Sequence, residues 1–201
     1  MKYNHVFLIA LLTLFITPQT PVTADPENKT NEEAEVSKDD VVIGKEGDDR
    51  INTGDGNDNI AGKGGDDFIE AGEGDDLISG GEGDDKILGG PGDDYIIGGD
   101  GNDTVDDGAG NDFINLGDGN DTFVYNVKNN LEFTDYAVGG EGDDTLVIVK
   151  EDIDELMKNE IIKYYEKQKM VGADIVHMGK FDISLGVSQF EHVVVATSFS
   201  F

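Results

Sequence analysis

One large apolar side chain recurs every nine residues between residues 44 and 124. The positions are Ile51, Ile60, Ile69, Ile78, Ile87, Ile96, Val105, Ile114 and Phe123. β-Branched residues of this kind suit a short strand that turns the apolar side chain inward and its two neighbours outward. The text between the apolar positions is polar and keeps the same phase. With Gly44 as position 1, position 4 is always glycine (Gly47, Gly56, Gly65, Gly74, Gly83, Gly92, Gly101, Gly110, Gly119), and position 2 is glycine except at Lys45 and Lys63. Glycine at fixed places permits turns with positive φ and close backbone approach. The pattern therefore predicts nine consecutive turn–strand units over residues 44–124. A tenth copy, GGEGDDTLV at 139–147, follows a 14-residue interruption. Beyond it, Ile153, Leu156, Met157, Ile161 and Tyr165 recur at helical spacing within 152–169. Two strands are expected after that, in ADIVHMGKFDISL and FEHVVVATSF.

Charge changes this picture. The 201-residue chain has 44 acidic and 14 basic side chains, a formal net charge of −30. Such a chain is a poor partner for nucleic acid or an anionic membrane, both of which call for a basic surface. Within residues 44–124 there are 23 acidic and 4 basic residues. Position 6 is aspartate in every unit: Asp49, Asp58, Asp67, Asp76, Asp85, Asp94, Asp103, Asp112 and Asp121. Position 5 is always Asp or Asn and is expected to help shape the turn or an outer shell. A core of one Ile per unit is thin, and adjacent carboxylates repel one another. A cation is therefore missing from the sequence. Carboxylates and backbone carbonyls, with no thiols, are the hard oxygen ligands that Ca²⁺ takes six to eight of. An EF-hand loop with its terminal Glu is absent.

The pattern G-G-x-G-x-D-x-U-x resembles the repeats-in-toxin (RTX), or haemolysin-type calcium-binding, repeat. The resemblance covers residues 44–147. It implies an all-β fold: a parallel β-roll, a right-handed β-solenoid in which two repeats complete one coil, with a small helix-plus-strands C-terminal cap. It also implies that one Ca²⁺ lies between position-6 aspartates of repeats two apart. That pairs Asp49 with Asp67, Asp67 with Asp85, Asp85 with Asp103 and Asp103 with Asp121 along one edge. Along the other it pairs Asp58 with Asp76, Asp76 with Asp94 and Asp94 with Asp112, for about seven ions in all. Residues 186–195, GVSQFEHVVV, are similar to the segment that often ends such rolls. Repulsion in the metal-free chain implies folding coupled to binding, at affinities of about 10⁻⁴–10⁻³ M per site.

Residues 1–24 have the pattern of a secretory signal, with Lys2, the apolar run VFLIALLTLFI and small residues ending at Ala24. The organisation expected is a signal peptide over 1–24, a disordered acidic linker over 25–43, the β-roll over 44–147 and a capping region over 148–201. No other stretch is a candidate membrane span. The chain has no Cys, so it has neither disulfides nor a cysteine nucleophile. His177 and His192 stand singly, and no H-E-x-x-H or G-x-S-x-G is present. These features point away from an enzyme.

Outward residues eighteen apart stack on one sheet. On the sheet built from even-numbered repeats, Leu77, Tyr95, Ile97 and Phe113 then form one apolar patch. The chain's own C-terminal segment is its expected cover, and a partner surface is the alternative. The functional expectation is a secreted calcium-binding protein acting as a structural or adhesive extracellular module. One alternative is a module that binds an extracellular polysaccharide or protein through the patch. A more remote one is an accessory fragment of a secreted enzyme or toxin.

Overall fold

The computed structural model describes residues 22–23, 39–130, 133–151, 153–170, 176–177, 183 and 185–199. Its strands are β1 (Val22–Thr23), β2 (Val41–Ile43), β3 (Arg50–Asp55), β4 (Asn59–Gly64), β5 (Phe68–Glu73), β6 (Leu77–Glu82), β7 (Lys86–Pro91) and β8 (Tyr95–Asp100). They continue as β9 (Thr104–Ala109), β10 (Phe113–Asp118), β11 (Thr122–Asn126), β12 (Asp135–Glu141) and β13 (Thr145–Val149). Helix α1 (Glu155–Met170) and strands β14 (Val176–His177), β15 (Leu185–Ser188) and β16 (His192–Ala196) complete the order.

Consecutive strands fall on opposite sheets. One sheet runs β1-β2-β4-β6-β8-β10-β12-β15-β14 and the other β16-β13-β11-β9-β7-β5-β3. Every pairing is parallel except β14 with β15. This is a parallel β-roll, as the resemblance to the RTX repeat implies. The register is eighteen residues throughout the array: Leu77 lies beside Tyr95, Ile78 beside Ile96, and Tyr95 beside Phe113. The strands are longer than three residues. Pairing resumes at positions 2 and 3 of the next unit, as in Gly54 beside Gly72 and Asp55 beside Glu73, so most strands are six residues long.

Glycine is what permits this second stretch of pairing. At Gly99, φ is +132° and an added Cβ would run into the carbonyl oxygen of Gly81 in the preceding coil. Only a residue without Cβ takes that conformation at that separation without strain. Lys63 holds the same place with φ 88°, an exception borne by a long side chain turned to solvent.

Position 8 faces inward. Ile60, Ile69, Ile78, Ile87, Ile96, Val105 and Ile114 are almost wholly buried and form a ladder down the roll. Toward the C-terminal end the ladder widens into rings. Phe123 lies 6.4 Å from Tyr125 and 6.3 Å from Phe190, centroid to centroid. There α1 packs against β16 and β14, adding Ile161 and Tyr165 to the same core. The Tyr165 hydroxyl donates to the Phe190 carbonyl at 2.7 Å, as does Lys169 Nζ. The helix thus closes the end of the ladder, as a solenoid requires. Its buried face is narrower than the sequence spacing suggests: Leu156 is 78% exposed and Met157 is also exposed.

The roll begins before the first perfect nonapeptide. Asp39-Asp40-Val41-Val42-Ile43 occupies positions 5–9 of a preceding half-coil, with β2 paired to β4. These five residues lie inside the segment read as linker. Of the expected leader, only Val22 and Thr23 fall within the described residues. They pair in parallel with Val42 and Ile43. Among the described residues, no helix is long and apolar enough to cross a membrane.

Candidate metal centres

The acids of each adjacent pair point in opposite directions along the roll. At position 6, each Oδ1 from Asp58 to Asp121 accepts from the backbone N–H of the preceding coil. Asp58 N–H donates to Asp76 (2.7 Å), Asp76 to Asp94 (2.9 Å) and Asp94 to Asp112 (2.7 Å). On the opposite edge, Asp49 N–H donates to Asp67, Asp67 to Asp85, Asp85 to Asp103 and Asp103 to Asp121, all within 2.8–2.9 Å. At position 5 the sense reverses, and each Oδ1 accepts from the N–H of the following coil. Asp84 N–H donates to Asp66 and Asn111 N–H to Asp93. The position-5 side chains are exposed, so this acid works as a clamp between coils. An Asn carbonyl serves as well as a carboxylate, which is why the two residues interchange there.

Position 6 is different because it is buried. Asp58, Asp67, Asp76, Asp85, Asp94, Asp103, Asp112 and Asp121 are at most 3% exposed. The Oδ2 atom of each is shielded from solvent and has no hydrogen-bond partner. A buried carboxylate oxygen left unpaired is costly. Position-1 glycines bound the space these atoms occupy: a Cβ on Gly62, Gly80, Gly89 or Gly98 would collide with Oδ2 of Asp67, Asp85, Asp94 or Asp103, respectively. Among the described basic groups, Arg50 turns away onto the outer face. Its guanidinium lies 4.1 Å over the Phe68 ring and 3.5 Å from Glu70. No described ion pair involves a position-6 aspartate. The donor set is hard oxygen, and two rows of orphaned carboxylate oxygens fit Ca²⁺.

Burial pushes the carboxyls of Asp67, Asp76, Asp85, Asp94, Asp103, Asp112 and Asp121 up in the metal-free protein, and the backbone N–H donors only partly offset it. Asp94 is raised to about 8, Asp103 and Asp112 to about 7, and Asp76, Asp85 and Asp121 to about 6. The exposed clamp Asp93 is instead lowered by the N–H and side-chain donors of Asn111.

All nine sequence-predicted aspartates fall in these two rows, in the pairs expected. The structure extends both rows. Asp112 N–H donates to Asp135 Oδ1 and Asp121 N–H to Asp144 Oδ1, each at 2.9 Å. Asp40 N–H donates to Asp58 at 2.7 Å, and Asp144 N–H to Glu191 Oε2 at 3.0 Å. Asp135 belongs to a degenerate unit over 130–138. The interruption in the array is therefore a five-residue insertion, 125–129, followed by a unit that has lost its glycines. Its one surviving sign is an Asp nine residues before Asp144. The last turn is shorter still. Ser188 and His192 stand at positions 9 and 7 of successive half-coils with three residues between them, and Gln189 there has φ 59°.

The apolar patch lies where the register predicted and is not covered by the described C-terminal residues. Leu77 is 46% and Tyr95 43% exposed. The Tyr95 and Phe113 rings stack with centroids 5.1 Å apart. The C-terminal segment goes instead to the end of the roll, where α1, β15 and β16 close the Ile ladder.

Comparison with known proteins gives one family. The RTX calcium-binding nonapeptide repeat matches in four copies, over residues 37–69, 62–96, 88–123 and 131–147. No curated protein matches the chain.

Proposed function

We infer that this chain, which belongs to the RTX calcium-binding nonapeptide repeat family and so carries a Ca²⁺-binding β-roll, holds its ions between the position-6 side chains of successive coils. One observation carries the reading: the buried, partnerless Oδ2 atoms recur in phase along both edges. The rows define five inter-coil positions from Asp40 to Asp135 and six from Asp49 to Glu191. The last pairs Asp144 with a Glu that also faces Lys169 at 3.6 Å, so it is the weakest. Native mass spectrometry in millimolar calcium is expected to find about ten bound ions. A count of seven would confine binding to the nine perfect nonapeptides, and a count near zero would remove the reading.

The biological role proposed is that of a secreted structural or adhesive module that folds where calcium is abundant. The leader pattern over 1–24 and the acid-driven need for metal both support export before folding. The RTX roll is a structural calcium-binding module, which supports a non-enzymatic role.

A second reading rests on the stacked, exposed Tyr95–Phe113 pair. Aromatic rings presented on a rigid sheet suit a polysaccharide or protein ligand. The double variant Tyr95→Ser/Phe113→Ser is expected to keep its calcium-induced circular dichroism. It should lose retention on an immobilised acidic polysaccharide if that class is the ligand. Retention equal to that of the unaltered chain would exclude the patch, and no retention of either protein would leave the structural role.

A further inference from the structure

Asp107 breaks the pattern of the array. It stands at position 1, the inward-facing place that is Gly62, Gly80, Gly89 or Gly98 in other units, and it is wholly buried. Its Oδ1 accepts from the Gly108 N–H at 2.9 Å, while its Oδ2 has no partner. The same is true of Oδ2 in Asp112 and Asp135, which are 1% and 0% exposed. One oxygen from each of the three carboxylates lies within 4.8 Å of the others. Oxygens on opposite sides of a Ca²⁺ are about 4.6–5.2 Å apart, twice the 2.3–2.6 Å ligand distance. One ion can therefore touch all three. One coil further on, Asn130 holds position 1 of the degenerate unit. It has the same five-residue relation to Asp135 that Asp107 has to Asp112, and neither its amide oxygen nor its nitrogen has a partner in the buried interior. An amide carbonyl oxygen is a hard donor of the kind Ca²⁺ takes.

No other cluster of three acidic or imidazole side chains with this spacing occurs among the described residues. Three buried carboxylates around one point, each with a partnerless Oδ2 and with no cation from the protein, cannot be explained by packing. An apolar side chain would fill the place at lower cost, as Leu116 does at position 1 of the following unit.

We propose that Asp107, Asp112 and Asp135, with the Asn130 carbonyl, form a three-carboxylate Ca²⁺ site that differs in composition from every other inter-coil position. It fills first as calcium rises. The proposal rests on the reading of the inter-coil positions as cation sites and adds a residue that the repeat pattern does not contain. Ligand charge count is a main determinant of calcium affinity, and here it is three where a regular position has two. The site bridges the coil before the five-residue insertion and the coil after it, where the regular register is lost. Early filling would fasten the regular array to its C-terminal end.

The test is a calcium titration of the full chain, followed by circular dichroism and native mass spectrometry, for Asp107→Gly, Asp107→Asn and the regular-position control Asp76→Asn. Asp107→Gly gives the unit the residue the array itself uses, so it has every means to fold. If the site is real, both Asp107 variants raise the calcium midpoint of the first-filled ion by about ten-fold, and that ion is no longer bound at low calcium. If Asp107 is only a buried neutral acid, Asp107→Gly leaves the midpoint unchanged or lowers it, which overturns the proposal. Asp76→Asn separates the two readings. A raised midpoint there with none in the Asp107 variants sinks this site alone. A flat response in all three sinks it together with the calcium roll.

Discussion

Stripped of calcium at pH 7.5, residues 25–201 will show little β signal in far-UV circular dichroism, and added calcium will produce it cooperatively while magnesium will not. The reason lies in the two rows of position-6 aspartates. Burial raises Asp76, Asp85, Asp94, Asp103, Asp112 and Asp121 from 3.8 to about 6–8 in the metal-free fold. A folded state with raised carboxyls binds more protons than the unfolded chain. Its metal-free stability is therefore greatest at low pH and falls as pH rises from about 4 through 8. At neutral pH the metal-free fold must either hold protons against their tendency to leave or confine unpaired charges. Calcium removes this penalty by replacing the protons. Magnesium keeps its waters and demands octahedral geometry at short distances, which carboxylates spaced by a β-ladder do not provide.

Two features of the titration follow from this. The transition is cooperative, because each aspartate faces a neighbour on both sides and an ion at one position orders half of the next. The calcium midpoint moves to higher concentration as pH is lowered from 8 to 5, because protons compete for the same oxygens. Full β signal in chelator at pH 7.5, or a midpoint indifferent to pH, would show that the carboxylates are not calcium ligands.

The second large effect separates the two acids of a single pair. Asp94→Asn is expected to raise the calcium midpoint by about ten-fold and to lose up to two ions, since Asp94 belongs to the positions shared with Asp76 and with Asp112. The substitution keeps Oδ1 as an acceptor for the Asp76 N–H, so the loss is of charge and metal rather than of shape. In chelator the sign reverses. A buried carboxyl held near pH 8 becomes a neutral amide, and the metal-free fold gains stability. Asp93→Asn, one residue away, should leave the titration nearly unchanged, because Asn is what stands at position 5 in Asn57, Asn102, Asn111 and Asn120. Calorimetric calcium titration of the two variants checks this. Equal effects at 93 and 94 would mean that the pair acts as bulk negative charge and not as a clamp beside a ligand.

The regular part of this molecule was legible because its physics is local and repeated. An apolar residue every nine positions, with glycine at the turns and aspartate at position 6, admits few arrangements. Asp49 to Asp121 were found as a set, and the facing of Leu77, Tyr95, Ile97 and Phe113 followed from the eighteen-residue register. What the sequence hid lies where the period fails. Asp135 stands after an insertion in a unit without glycines, Asp40 in a half-unit without an apolar run before it, and Glu191 in a turn cut to three residues. Asp135 and Glu191 are recognisable only by the N–H that donates to each from the preceding coil, and Asp40 by the N–H it donates to Asp58.

Asp107 was hidden for another reason. Its position-1 place breaks the period in the sequence, but only the stacking of coils shows that it lies beside Asp112 and Asp135. The destination of the C-terminal segment was likewise a tertiary matter. A helix with apolar residues at Leu156, Met157, Ile161 and Tyr165 can cover a sheet face or the end of a roll. The structure takes the second, with Ile161 and Tyr165 joining Phe123 and Phe190 in one core. The sequence by itself determined the repeat, the inward ladder and the need for a cation, since these follow from short-range periodicity and charge, and the two sheets followed from the resemblance to the RTX repeat. The tertiary structure decided how far the carboxylate rows extend, which acid leaves the pattern and what closes the roll, because those depend on contacts between residues whose separation in sequence obeys no period.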